Sequence, residues 1–439
     1  MRSHRLHGVI AGALGSTLVL LAVACGDSER EALTEDPDAS PADRDAASSL
    51  EPDAADGGTS GFDAAPEPVS CAVTPCALEL AAGARHVCAR MAGGDVRCWG
   101  DNTHGSIGNG ISEDDGTEPG DTTRPVTVVD LTGATQLSAA RDTTCARRDD
   151  GSVRCWGQND HGQLGLGIAD ELAHPRPTAA PLSGGAMRVD LGRRSACAVL
   201  TTGELWCWGS NDKKQLARSE RDPVLGPGRA ELAGSSVTRA AASDGTTYGI
   251  SSSGRLLAWG ALAGREGSLD PDPVPAPLPA LAAVHDVAVG ESHACAIAGG
   301  RVSCWGSSTS YALCTGLPSP EPVPAHAVIV TTAYPQQIAV SRNTTCVRLT
   351  NGQIHCCGAG SSGQLGVPTV DGGLSSSAAF APASSFTGYA VQVVTTDLAT
   401  CALLRSGAVE CWGGNAHGEL GRGTRDGDPH PAPAAVSFP

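Results

Sequence analysis

Seventeen cysteines are the most reactive groups in this 439-residue chain, and their spacing indicates which chemistry they serve. Cys88 and Cys98, Cys145 and Cys155, Cys197 and Cys207, Cys346 and Cys356, and Cys401 and Cys411 are each ten residues apart, while Cys295 and Cys304 are nine apart. Zinc ligation draws on close C-x2-C pairs that converge with a second pair, and no C-x2-C occurs in the chain. Folding a ten-residue pair back as an antiparallel hairpin leaves a three-residue loop and sets the cysteines opposite each other. Their Cα atoms are then about 4.5 to 5.5 Å apart, a gap that a disulfide spans. The expectation is six hairpin disulfides, with a ladder of reduced, buried thiols as the alternative. Each bond would contribute on the order of 2 to 3 kcal/mol by restricting the unfolded chain. The remaining cysteines are Cys25, Cys71, Cys76, Cys314 and Cys357. A small loop closed by Cys71 and Cys76 and a link between Cys314 and Cys357 are both open readings.

Other groups offer less. His104, His161 and His417 recur in matching turns, Asn102-Thr-His-Gly, Asn159-Asp-His-Gly and Asn415-Ala-His-Gly. Imidazoles in adjacent turns are able to share a metal, but repetition by duplication explains them equally, and no metal or cofactor is expected. His86 and His293, each two residues before a hairpin cysteine, read as local structure. Glu113, Asp114, Asp115, Glu118 and Asp121 crowd one loop without the twelve-residue calcium-loop spacing. No glycine-lysine-serine/threonine step, Gly-x-Ser-x-Gly elbow or His-Glu-x-x-His helix is present, so the chain reads as a non-enzyme.

The elements that carry these residues repeat. Trp-Gly pairs stand at Trp99, Trp156, Trp208, Trp259, Trp305 and Trp412, with Cys357-Gly358 in the same place in one copy, at steps of 57, 52, 51, 46, 52 and 55 residues. The third residue of each three-residue loop is a glycine, namely Gly94, Gly151, Gly203, Gly352 and Gly407, as a left-handed turn position requires. The nine-residue pair leaves the two-residue turn Gly299-Gly300. The fourth copy has Tyr248 and Ala258 in place of both cysteines and keeps Gly254 in the turn. Joint loss is the behaviour of a bonded pair. Further apolar stretches, as in Pro125–Leu131 and Thr135–Ala140 before the second hairpin, raise the count to four strands per unit.

Turns of the form Gly162-Gln-Leu-Gly165, Gly363-Gln-Leu-Gly366 and Gly418-Glu-Leu-Gly421, with Gly105-Ser-Ile-Gly108 as a variant, follow several of the Trp-Gly pairs. Together with the turn glycines, these resemble the regulator-of-chromosome-condensation repeat, seven times over residues 71–439. The resemblance implies an all-β, seven-bladed β-propeller with about four strands per blade. The segment Pro431–Phe438 is expected to supply an outer strand that blade one lacks, so that the ring is closed by the C-terminal strand.

Arg2 and Arg5, an apolar run from Val9 to Ala24 and then Cys25 read as a secretory signal, residues 1–25. Leu21-Ala-Val-Ala-Cys25 resembles a bacterial lipobox, apart from Ala22 where leucine is usual. This implies acylation of Cys25 and, with Gly26 rather than aspartate next, an outer-membrane destination. Residues 26–70 hold 13 acidic side chains against two arginines and little apolar surface, a composition that cannot fold by burial and reads as a disordered acidic tether. The formal net charge is −17 and the only lysines are Lys213 and Lys214, which excludes a basic face for nucleic acid.

The function expected is a monomeric binding or scaffold protein of the cell envelope that offers loops to a protein or glycan. Within the family, a secreted bacterial inhibitor grips a beta-lactamase in this manner. The loops that differ between copies, Glu113–Asp121 and Asn211–Gln215 with Lys213 and Lys214, are the candidate contacts. Two other classes stay open: guanine-nucleotide exchange, implied by the family's namesake, and an envelope hydrolase or lyase.

Overall fold

The computed structural model describes residues 67–111, 120–220, 222–261, 270–367 and 375–439, all within one compact unit, Thr59–Pro439. Cys25, the signal and nearly all of the tether lie outside the described residues. Glu113, Asp114, Asp115 and Glu118 lie outside them as well. None of the described helices is long and apolar enough to cross a membrane.

Seven four-stranded antiparallel sheets make up the fold, each built from four consecutive strands. The first strands, Ala77–Ala82, Ala134–Ala140, Ala186–Leu191, Val237–Ala242, Val284–Val289, Pro335–Val340 and Ala390–Thr395, each touch the next, and the seventh touches the first. They therefore ring a central channel, and the chain is a closed seven-bladed β-propeller. The fourth strand of each blade is its outer edge, and every one of them contains proline, from Pro125 in Thr122–Thr127 to Pro433 in Asp426–Ala435. A proline edge cannot donate a full ladder, which discourages pairing with another chain.

Blade boundaries differ from the expectation at the outer strand. Thr122–Thr127 pairs with Val96–Gly100 of the hairpin before it, not with the blade that follows. By the same rule the C-terminal strand Asp426–Ala435 stays in blade seven, pairing Cys411 with Ala434, rather than completing blade one. Blade one has its own fourth strand and leaves no opening. The C-terminal tail still crosses to blade one. Phe438 packs edge-on against Trp99, with centroids 5.8 Å apart, and Arg97 Nη1 donates to the Pro439 carbonyl at 2.9 Å.

The second and third strands of each blade are the expected hairpins. Cys88 lies opposite Cys98, and the two are bonded with Cα atoms 4.0 Å apart. The other five pairs, Cys145–Cys155, Cys197–Cys207, Cys295–Cys304, Cys346–Cys356 and Cys401–Cys411, follow suit at 4.1 Å. Met91 N bonds Asp95 O, leaving the loop Ala92-Gly93-Gly94, and Gly94 has φ +80°. Gly299 and Gly300 both have positive φ in the two-residue turn.

Trp-Gly pairs lock each blade to its predecessor. The indoles of Trp99, Trp156, Trp208, Trp259 and Trp412 are fully buried. Their Nε1 groups donate to the carbonyls of Glu419, Ser106, Gln163, Gln215 and Gln364 at 2.8 to 3.0 Å. Each acceptor lies in the preceding blade's Gly-x-Leu-Gly turn or its counterpart, and the last glycine of that turn must be small. A Cβ on Gly108 would lie 2.8 Å from Trp156 Nε1.

Two interfaces depart from this rule in a compensated way. Blade four lacks a described Gly-x-Leu-Gly turn, and Trp305 donates instead to the hydroxyl of Tyr248, at 2.9 Å. Tyr248 is the residue that replaces the missing cysteine. Between blades five and six the tryptophan position holds Cys357 and the last-glycine position holds Cys314, and these two form a disulfide. Thr345 Oγ1 donates to the Ala312 carbonyl at 2.7 Å, as Thr247 and Thr400 do to the acceptors that Trp259 and Trp412 share. A covalent bond thus takes the place of indole against glycine. Cys71 and Cys76 close the eighth disulfide, at the start of blade one.

Candidate functional site: the channel and the two faces

One position in the seven inner strands is polar throughout: Glu79, Gln136, Arg188, Arg239, Asp286, Gln337 and Gln392. These side chains stitch neighbouring blades across the channel wall. Gln136 accepts from Val189 N at 2.9 Å and donates to Val189 O at 2.7 Å. Gln337 treats Val393 likewise, at 2.8 and 2.9 Å, and Gln392 treats Leu80 likewise, at 2.8 Å for both bonds. A primary amide carries both N–H donors and an acceptor oxygen, so it serves a strand edge as another strand would. Where the residue is charged, an ion pair completes the stitch. Asp286 accepts from Ile338 N at 2.8 Å and pairs with Arg239. Arg188 is held by Asp190, which also accepts from Ala240 N at 3.3 Å. Burial pushes the Glu79 carboxyl up, against the bonds it accepts from Arg90 and the Leu137 backbone.

The channel narrows toward the face that carries the Trp-Gly loops. There Ala84 N donates to Arg141 O at 2.7 Å and Asp397 N to Ala84 O at 2.8 Å. Glu291 is shared by Arg193 and Arg342, each at 3.0 Å. At the opposite, hairpin-turn face the channel widens into a cavity of about 440 Å³, lined among others by Glu67, Arg90, Arg188, Arg239 and Arg348.

The three histidine turns singled out by sequence share the Trp-Gly face but do not form a common site. His417 Nδ1 meets Asp121 at 3.1 Å, and its Nε2 lies 3.4 Å from Arg85 Nη1. A neutral imidazole protonated on Nδ1 satisfies both contacts. His104 instead faces Asp142 at 3.7 Å and His161 faces Asp160 at 3.6 Å. Asp101, Asp121 and His417 bring three possible metal-ligand atoms within 4.8 Å of one another. The guanidinium groups of Arg85 and Arg425 already lie against these carboxylates, at 2.7 and 3.2 Å. Asp121 is thus an ion-pair partner at the junction of blades seven and one.

Asn211–Gln215 repeats the turn of Asn159–Gln163 rather than departing from it. Asn211 Oδ1 accepts from Leu216 N, and Gln215 Oε1 from Lys213 N, as Asn159 and Gln163 do in blade two. Lys214 stands where blade two has Gly162, at φ +61°, and its ammonium donates to Glu220 O at 2.7 Å. Sequence reasoning missed the polar ring, because its members share polarity and not identity. The available signal was one polar residue at the same distance before each hairpin.

The architecture defines the class: a closed propeller with hairpins pinned by disulfides and blades locked by indoles. Comparison with known sequences places it further, since the chain carries regulator of chromosome condensation (RCC1) repeats. A profile of that repeat matches residues 79–106, 134–163, 188–215 and 336–364, and a second profile of it matches residues 150–199. The matched windows fall in blades one, two, three and six. The mouse E3 ubiquitin-protein ligase HERC2 is 27% identical over 188 residues, 42% of this chain and 4% of the ligase. The Arabidopsis thaliana ultraviolet-B receptor UVR8 is 30% identical over 194 residues, 44% of this chain and 42% of the receptor. The chain therefore spans less than half the length of either relative. Among solved structures, human WBSCR16 superposes with a TM-score of 0.62 at 20% identity, covering 73% of this chain and 85% of that one, a likeness of fold.

Proposed function

We propose that this protein is a non-enzymatic binding or scaffold protein of the cell envelope, lipid-anchored through Cys25 and presenting loops to a protein or glycan. One observation carries the reading. The residues that the copies share are consumed by hairpin turns, blade-locking indoles and the channel ring, so a rigid disc is left whose loops are free to differ. Glu113–Asp121 and Asn211–Gln215 remain the proposed contacts; of these, Asp121 and Asn211–Gln215 lie on the Trp-Gly face. The eight disulfides use every cysteine except Cys25. That supports an oxidising compartment and leaves one cysteine for an acyl chain. With the formal charge at −17, nucleic acid is not among the partners we propose.

The test is affinity capture from envelope extract with the full chain carrying Cys25→Ser, beside versions in which 113–121 or 211–215 is replaced by a short Gly-Ser loop. The expected result is a captured partner that cross-links to the Trp-Gly face and weakens when a loop is replaced. Turnover of an envelope polymer, or accelerated nucleotide release from a Ras-like GTPase, with no captured partner would overturn the proposal.

A further inference from the structure

At the wide end of the channel a carboxylate is already bound, and it comes from the chain itself. Glu67 accepts from Tyr389 Oη at 2.8 Å and from Arg348 Nη1 at 3.4 Å, and it pairs with Arg405. The Arg405 guanidinium lies 3.8 Å over the Tyr389 ring, which orients it toward the same carboxylate. Arg348 belongs to the second strand of blade six, Tyr389 precedes the inner strand of blade seven, and Arg405 begins that blade's hairpin turn.

We propose that Arg348, Tyr389 and Arg405 form a binding site for the carboxylate side chain of an acidic peptide supplied by another molecule, and that Glu67 fills it in the free protein. The other arginines of the cavity are already matched: Arg90 by Glu79, Arg188 by Asp190 and Arg239 by Asp286. Arg348 and Arg405, among the described residues, have Glu67 as their only ion-pair partner. The Arg348 side chain is 3% exposed, and its Nε has no hydrogen-bond partner. Removing Glu67 therefore leaves a buried guanidinium uncompensated, a state that draws in another anion. The acidic-peptide assignment follows from the present occupant, which is itself the glutamate of a peptide segment, Glu67–Ser70, whose Val69 also lines the cavity. Because Glu67 is tethered, it competes at an effective concentration in the millimolar range, and a free peptide engages the intact chain weakly.

The inference is independent of which loops of the opposite face bind a partner. Its test is fluorescence anisotropy with a labelled heptapeptide of the sequence of residues 64–70, and the same peptide with glutamine for glutamate, at low salt. The full chain carrying Glu67→Gln is expected to bind the glutamate peptide at least about tenfold more tightly than the unsubstituted chain, the worth of a charged hydrogen-bond set. Adding Arg405→Ala or Tyr389→Phe to the Glu67→Gln chain should remove that gain. Equal affinity in the Glu67→Gln and unsubstituted chains, or equal affinity for the two peptides, would overturn the proposal.

Discussion

Single side chains at the blade interfaces set how the fold responds to pH and to substitution. His86 and His293 are buried against Thr144 and Thr345, at 2.7 and 3.0 Å, and burial holds both imidazoles at about 4, well below the usual 6.5. The folded state therefore resists a proton that the unfolded chain accepts. Stability from these two groups is complete above pH 6.5 and is lost as pH falls from there to about 4. Each contributes on the order of 3 kcal/mol to that slope. Denaturant unfolding between pH 7 and pH 4 should show the loss, and His86→Gln with His293→Gln should flatten it; an unchanged slope in the double variant would contradict the assignment. Tyr248 gives a second prediction. Tyr248→Phe leaves the buried Trp305 Nε1 without its acceptor and should cost about 1 to 3 kcal/mol, measured by chemical unfolding. Tyr248 was legible in the sequence only as a missing cysteine. Its role depends on a tryptophan 57 residues later, a contact that spacing within one repeat does not reveal.

Elements were legible where their pattern is local. Ten-residue cysteine spacing and a glycine in the third loop position define a hairpin without reference to anything else, and all six hairpins are present. The outer strands were misassigned because a Pro-rich stretch such as Thr122–Thr127 lies between two hairpins, and its apolar pattern does not say which one it joins. Cys314 and Cys357 resisted pairing for a related reason. Only the alignment of one with the last glycine of a turn and of the other with the following tryptophan brings them together. That alignment predicts a measurable coupling: Cys314→Gly and Cys357→Trp together should be less destabilising than the sum of the two alone, in a double-mutant cycle. The channel ring makes its own prediction. Gln136→Leu strips both bonds from the Val189 backbone and should speed hydrogen exchange at that amide, with a loss of about 1 to 3 kcal/mol.

The whole molecule is a ring in which every interface is fastened more than once, by indole or disulfide and by a channel side chain. Such redundancy suits the proposed role, in which loops keep their relative positions while they engage a partner, and the disulfides support the proposed oxidising compartment. Much of this was visible from the repeat alone, whereas the direction in which the channel opens and the carboxylate lodged at its mouth required the folded chain. Non-reducing peptide mapping of the protein taken from the cells that make it, with free thiols blocked at lysis, decides whether the propeller is covalently pinned as the proposed export requires. The expected result is six links within repeats, none in the fourth, one between Cys314 and Cys357 and one between Cys71 and Cys76. Quantitative thiol labelling of these sixteen cysteines without reductant would contradict it.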